Sequence, residues 1–513
     1  MGEIYPSTAR GRTVLKRTWL ALCVLVTLGW SSSASAQVTW EVPGDSDTIQ
    51  GAIDLAATGD TIEVAEGTYE ENIDYLGKGV TIVATGDVAS TVIDGTNVVD
   101  NGSIVSFVSG EGTDAVLDGF TITGGVGTGA FSVGGGIYCD ASTPQILNCV
   151  ITANTASEAG GAYFGDADGL DTIVVEGCTF DSNCAGGSFG GVQFDDVTAE
   201  LTDCVVRLNV AEFAGGGVVV RSATVTVEGC TIESNECGFI GGGLDAFGTH
   251  VTIVNNTTIA NNLAGSGGGI AVDGGELTMS HCAIVSNEAN NDGGGIIGSS
   301  NAISLIADSC TIANNSGEEG GGFFVAPTFD LESTFTNSIF YDNSGGDITA
   351  NDFVTVTYSL VGDGFDGEGN IDGDPDFRNV ALGDFRLRLG SPAIDAGDPL
   401  APLEADGTAL DQGAFPYDQT AQSFLRGDCD GNGQVFAILD ALFLLEFGFI
   451  EGTEPPCLAA ADTDGNGIVF AILDSLYLLV WAFQGGPEPP DPGPTECGTD
   501  PSGVECFEPP ACL

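Results

Sequence analysis

The sequence predicts an all-β chain, a parallel β-helix solenoid, followed by a small α-helical module made by tandem duplication. Three observations carry this. Six copies of one pattern, a slot residue followed five positions later by Asn and then by a glycine pair or triplet, recur between Cys149 and Gly295. The slots are Cys149, Cys178, Cys204, Cys230, Asn256 and Cys282, the asparagines are Asn154, Asn183, Asn209, Asn235, Asn261 and Asn287, and from Cys178 onward every interval is 26. A period in the twenties, with β-branched residues and no helical spacing, is one turn of a β-solenoid. Second, the stretches at 428–449 and 462–483 align without gaps, each an acidic loop running into an apolar helix. Third, 513 residues exceed one ordinary core, as a long repeat body plus a smaller module requires.

The chain opens on a targeting segment. Arg10, Arg12, Lys16 and Arg17 precede an apolar run from Trp19 to Trp30, and Ala34, Ser35 and Ala36 form a small-residue cleavage signal before Gln37. Residues 1–36 therefore read as a signal peptide, and the expected location is secreted or extracellular, with attachment to the cell surface an option. No later run is long and apolar enough to span a bilayer. The signal peptide holds four of the 11 basic residues and one of the 73 acidic ones, so its removal takes the net charge from −62 to −65. Nucleic acid and anionic polymers are repelled by such a surface.

Residues 37–420 form the repeat body. Each slot opens a strand such as CTIESN at 230–235, where alternation puts the slot and the second following residue on the core face. Stacked turns lie about 4.8 Å apart, which predicts a sulfur ladder with one Asn gap and a parallel ladder of asparagines at the corners. Gly215 to Gly217, Gly241 to Gly243, Gly267 to Gly269 and Gly293 to Gly295 supply bends with no room for Cβ. The preferred reading of the cysteines is packing as small hydrophobes, and of the glycines solenoid corners, since the Lys and Ser/Thr of a phosphate loop are missing. Cys184 and Cys237 fall off the slot register and either pair or stay free. The pattern extends to Phe120–Gly125, to Cys310 with Asn315 and to Ser338 with Asn343, giving about eleven or twelve turns. At 48–57, Ile49, Ala52, Ile53 and Ala56 share a helical face suited to capping the first turn.

The opening VPGDSDTIQGAIDLAATGDTIEVAEGTYEENI at 42–73, VIDG at 92–95 and the Asn and Gly ladders resemble the right-handed parallel β-helix proteins of the pectin-lyase-like superfamily. GNIDGDPDF at 369–377, SPAIDAGD at 391–398 and DQGAF at 411–415 resemble the terminal segment of secreted bacterial members. That resemblance implies a polysaccharide partner along the β-helix, but the fold hosts lyases, hydrolases, epimerases and non-catalytic surface proteins alike. The expected catalytic equipment is sparse. Between 79 and 350 the only cations are Arg207 and Arg221, and neither a GHG nor an RIK string occurs. His250 and His281 read as structural. Asp195 and Asp196 are the best acidic pair, yet neighbours on a strand face opposite ways, which leaves only a pair across different turns. The clustered carboxylates of DGFDGEGNIDGDPD at 363–376 read equally as a calcium site and as solvated turns. The reading therefore leans to a non-catalytic, carbohydrate-associated binding or surface-structural protein, with a polysaccharide lyase, glycoside hydrolase or epimerase as the alternative. No catalytic residues are assigned.

Residues 424–484 carry the duplication. Asp428, Asp430, Asn432 and Gln434, with Gly433 at the sharp turn, and Asp462, Asp464, Asn466 and Ile468, with Gly467, occupy loop positions 1, 3, 5 and 7 of an EF-hand-like calcium loop. Two ions are expected, and no other cofactor. The pair of loop-helix units resembles a dockerin type I module, which implies a cohesin-like or cell-envelope partner. One departure stands out: Leu439 and Leu473 hold position 12, where an acid is expected, and Asp440 and Asp474 come one residue later. Either the loop is one residue longer or binding is weak. Position 9 is Phe436 and Phe470, which removes another usual oxygen site. The apolar helices pack on each other, and any apolar surface left over would be a docking site. Residues 485–513 form a Pro- and Cys-rich tail; Cys497, Cys506 and Cys512 with Cys429 and Cys457 allow two disulfides and one odd thiol.

Overall fold

A computed structural model describes residues 37–417 and 426–489, apart from 100–101, 130–131, 168, 170, 249, 300–302, 327, 329–330, 389, 431–433, 450–451, 453–454, 456, 464–468, 470 and 485. The predicted signal peptide and most of the tail lie outside these residues. From Thr39–Val42 to Leu360–Val361 the strands stack in parallel into sheets of 13, 12, 11 and 6 strands. One turn shows the plan: Ile173–Glu176, Thr179–Asp181, Cys184–Ser188 and Val192–Asp195 enter the 13-, 12-, 6- and 11-stranded sheets in that order. Alternation sends every second residue inward, so Val225 and Val227 are buried while Thr224 is exposed. The inward residues form one continuous core from Val42 to Val361.

The first turn is closed by the expected helix, Ile49–Leu55, whose Ile49, Ala52 and Ile53 join that core. Thr48 Oγ1 accepts from Gly51 N, and the Glu71 carboxylate accepts from Ile49 N and Gln50 N at 2.9 Å each. Those bonds satisfy the orphan donors of the helix start and place a negative charge at its positive end.

The ladders are real, with one correction. Asn154, Asn183, Asn209, Asn235, Asn262, Asn287, Asn315 and Asn343 form a buried file in which each Nδ2 donates to the next Oδ1 at 3.0–3.1 Å. Asp347 ends it, accepting from Asn343 Nδ2 at 2.8 Å. The slots run Cys149, Cys178, Cys204, Cys230, Thr257, then Cys282 and Cys310; Cys230 N donates to Thr257 Oγ1. Asn256 and Asn261 instead sit one residue earlier with positive φ. A uniform step of 26 is thus an average, because the pairing of Thr224 with Val251 spans 27 residues and that of Val251 with Glu276 spans 25.

His250 accounts for the slip. It takes the inward position filled by Val197 and Ala223 in the two preceding turns, and a Cβ on Gly275 would lie 2.6 Å from its ring. The turn with the extra residue is followed by one whose glycine yields the space. His250 is thus a core residue, as expected of a structural histidine, and burial holds its imidazole below the usual value. The slot thiols pack as small hydrophobes, and burial pushes Cys178 and Cys310 well up. Cys184 and Cys237 both stay free.

Beyond Val361 the chain folds back along the 12-stranded sheet. Phe377, Phe385, Leu387, Ala393 and Ala414 cover Ala260, Ala283, Val285, Ala313 and Ile339 on its outer face. Asn337 Oδ1 accepts from Asp398 N, and Thr311 Oγ1 accepts from Ala414 N. In earlier turns the same outer positions are Asp181, Arg207 and Glu233. The change from charged to small apolar residues marks where the terminal segment lies.

In the C-terminal part, helices Ala437–Phe449 and Ala471–Gln484 bury Ala437, Leu444 and Leu478 with Cys429 and Ala461. Cys429 is free, and Cys457 is disulfide-bonded.

Candidate functional site

The first duplicated loop brings three acids together. Asp428, Asp430 and Asp440 each offer a carboxylate oxygen, and these atoms lie within 4.8 Å of one another, with Asp428 and Asp440 fully buried. Asp440 sits in the first turn of helix Ala437–Phe449 and closes the loop, accepting from Cys429 N at 2.8 Å and Phe436 N at 2.6 Å. Asp474 repeats part of this, accepting from Thr463 N at 2.8 Å. Leu439 and Leu473 are 57% and 53% exposed. The acid one residue beyond position 12 is therefore the one that turns into the loop, in both repeats. Desolvation, with a further contribution from Asp430 and Asp428, pushes Asp440 up to about 7. Buried like charges demand a counter-ion or protons, and a set of hard carboxylate oxygens fits calcium.

The second loop is described only in part. Arg426, fully buried, donates from Nη1 to Asp462 O at 2.6 Å, with the Asp462 Oδ2 at 3.7 Å. Gln434 is exposed at the end of the first loop. Asn432, Asp464, Asn466 and Ile468 lie outside the described residues.

On the solenoid, the outer face of the 11-stranded sheet gathers polar groups that single strands do not reveal. Tyr138 stacks on Tyr163 across adjacent turns with ring centroids 5.6 Å apart. Tyr163 Oη reaches Asp195 Oδ2 at 3.4 Å, and Asp195 is held in a two-pronged pair with Arg221 one turn on. Asp196 lies beyond the strand with positive φ and is exposed, whereas Asp195 is buried, so the two do not follow each other as alternating strand residues. One acid pair across turns is Asp140 with Asp166; desolvation first and then the Asp166 carboxylate raise Asp140. Desolvation and the neighbouring carboxylates raise the Tyr163 phenol, which keeps it protonated.

Further along the same face Asp245 lies between Val219 and Ala271 under the corner made by Gly241, where φ is +74 and an added Cβ would lie 2.5 Å from Asp245 Cβ, so a side chain is excluded. Burial and then Asp273 push Asp245 up to about 8. A raised acid favours the fold most below its ordinary value of 3.8, and that contribution is lost as pH rises through 8. Asp245→Asn is expected to stabilise the chain by about 1–3 kcal/mol at pH 9 and by little at pH 4. Denaturant midpoints at the two pH values check this; equal effects at both would remove the buried carboxylate as cause.

A family model for the right-handed beta helix region matches residues 135–308 and 190–361. The solenoid is a right-handed parallel β-helix. No curated protein sequence matches the chain. Among solved structures, the pectate lyase Pel9A is 14% identical, with 74% of this chain and 97% of that chain covered and a TM-score of 0.43. The complex of XylC with xylose is 10% identical over 67% and 87%, with a TM-score of 0.39. A mannuronic acid specific family 6 lyase from human gut microbiota is 12% identical over 66% and 83%, with a TM-score of 0.31. At such identities the likeness concerns the coil and not an activity.

Proposed function

We propose that this is an exported, carbohydrate-associated β-helix protein that is attached outside the cell through a calcium-loaded, dockerin-like C-terminal module. The convergence of Asp428, Asp430 and Asp440 carries the reading. In that module these three carboxylates hold the first ion, and the calcium supplies the positive charge that lets all three stay ionised in a buried loop. The duplicated surface supports attachment: Ile438, Leu439 and Leu442 on one helix and Ile472, Leu473 and Leu476 on the other are all exposed, at equivalent positions of the two repeats. Two copies of one apolar triad match a docking face for a cohesin-like or envelope partner better than they match a solvated helix pair.

Calorimetric titration of residues 37–513 with calcium, with circular dichroism in parallel, tests the proposal. Saturable binding of two ions with a gain of helix is expected; no saturable binding at millimolar calcium would defeat it. The carbohydrate half is tested by retention on insoluble glycans without release of new ends.

A second reading, a polysaccharide-acting enzyme delivered by the same module, draws on the row Tyr138, Tyr163, Asp195 and Arg221. New reducing or unsaturated ends from a glycan panel, lost on Arg221→Ala, would replace the first reading with this one.

A further inference from the structure

Two phenylalanines stand on a corner of the solenoid that is otherwise glycine or polar. Phe213 and Phe239, two residues ahead of Gly215 and Gly241, belong to the file Gly187, Phe213, Phe239, Gly265 and Asn291 between the 6- and 11-stranded sheets. The file is bonded from turn to turn. Phe213 N donates to Gly187 O at 2.9 Å, and Phe239 N to Phe213 O at 2.7 Å. Phe213 and Phe239 are 57% and 70% exposed, so the solenoid does not use them as core. Glycine at both neighbouring turns, Gly187 and Gly265, leaves the flanks of the two rings along the rod without a side chain. A main-chain-bonded scaffold that holds two uncovered aromatic rings on adjacent turns has the make-up of a stacking platform rather than of packing.

Size, charge and spacing select the occupant. Leu208 and Val210, in the same turn as Phe213, are 51% and 40% exposed. With them the apolar surface on offer is on the order of 400 Å², about half of what each partner of a stable protein interface buries. Exposed Glu212 and Glu236 precede the two rings, and the cations of these turns, Arg207 and Arg221, are engaged by Asp181 and Asp195. A polyuronate or an anionic lipid surface would therefore meet carboxylates, with both guanidinium groups already committed. A neutral sugar meets no such repulsion: its C–H face covers a ring while its edge hydroxyls donate to the glutamates. Turns advance by about 4.8 Å, close to one sugar of an extended β-linked chain, so a chain lying along the rod presents successive sugars to successive rings. We infer that the corner bearing Phe213 and Phe239 is the docking site of a neutral, extended β-linked polysaccharide. The inference rests on the carbohydrate-associated reading and gives it a location.

The test is calorimetry of residues 37–513 at physiological salt, where diffuse repulsion from so acidic a chain is screened. The probes are cellohexaose, xylohexaose, hexagalacturonate and phosphatidylcholine vesicles. Saturable binding of a neutral hexasaccharide, at least about 10-fold tighter than of hexagalacturonate, is expected. Phe213→Ala and Phe239→Ala are each expected to weaken it about 5-fold, and the double variant at least about 20-fold, while Phe239→Trp retains or tightens it. The unfolding midpoint should not move, because both rings lie outside the core. Neutral-sugar binding that survives the double variant would overturn this site and leave the carbohydrate-associated reading intact. Failure of the unsubstituted chain to bind either neutral hexasaccharide would overturn both. Vesicle or hexagalacturonate binding that is lost in the double variant would assign the corner to a lipid or an anionic chain instead.

Discussion

Asn262→Ala is expected to cost about 3–5 kcal/mol of stability, and Asn261→Ala, one residue earlier, only about 1 kcal/mol. Asn262 Oδ1 accepts from Asn235 N and Nδ2 at 2.9 and 3.0 Å, while its own Nδ2 donates to Ile232 O and Asn287 Oδ1 at 2.9 and 3.0 Å. Truncation removes all four bonds and strands Asn235 N and Ile232 O in a dry interior. Asn261 makes its contribution through its backbone: its φ is +55, its N donates to Val285 O, and its side chain is exposed. Alanine there meets only the ordinary penalty of a left-handed residue. Guanidinium midpoints of the two variants rank the costs, and hydrogen exchange shows whether the loss centres on the affected turns, as stacking of repeats with neighbours requires. Equal or reversed costs would mean that the file passes through Asn261.

That pair of residues shows how far the sequence could be read. The solenoid and the asparagine file are legible because each follows from a local rule repeated many times, and the capping helix because Ile49, Ala52, Ile53 and Ala56 share one helical face. The file's passage through 262 is not, because the sequence offers Asn255, Asn256, Asn261 and Asn262, and the choice rests on how many residues the corner near His250 consumes. A period measures the mean advance per turn; an insertion in one turn and a deletion in the next cancel in it. The sulfur ladder suffered the same shift, with Thr257 and not Asn256 in the slot. In both files the polarity survives, because Thr257 Oγ1 and Asn262 Oδ1 accept the same backbone donors that their neighbours do.

The candidate sites were legible only where chemistry is local. DxDGNG announces its loop, but the choice between Leu439 and Asp440 depends on where helix Ala437–Phe449 begins. With that start, Asp440 lies in the first turn facing back to Cys429 N and Leu439 faces solvent. The Tyr163, Asp195 and Arg221 group draws on three successive turns, and no single-strand pattern encodes it. One signal was present: Tyr163, Gln193 and Val219 occupy equivalent registers, so the file of outward residues is readable once the step is known. A surface cavity lined by His281, Ser309 and Asn337 on one side and by Ala401 to Asp406 on the other joins segments about a hundred residues apart, which places it beyond any local rule.

Asp440→Ala is expected to abolish calcium binding at the first loop, a fall in affinity of more than about 100-fold, while Leu439→Ala leaves that affinity unchanged. The contrast follows from geometry, since Asp440 contributes an oxygen to the cluster with Asp428 and Asp430 and Leu439 is 57% exposed. Because Asp440 also accepts from Cys429 N and Phe436 N, its loss disturbs the loop as well as the ion; Asp430→Ala leaves those two Asp440 bonds in place and is expected to give the same loss of one ion from the isotherm. The second loop carries Arg426 beside Asp462, a resident positive charge that lowers the field a cation feels there, so it is expected to be the weaker of the two sites and the one seen alone in either variant. Leu439→Ala with Leu473→Ala then separates the two halves of the attachment proposal. On the proposed reading calcium binding should persist and partner capture should fail, because that reading assigns the ion to the loop carboxylates and the partner to the exposed triads. Retention of calcium at the first loop by Asp430→Ala and Asp440→Ala would place the ion elsewhere, and the buried carboxylates would then have to share protons instead.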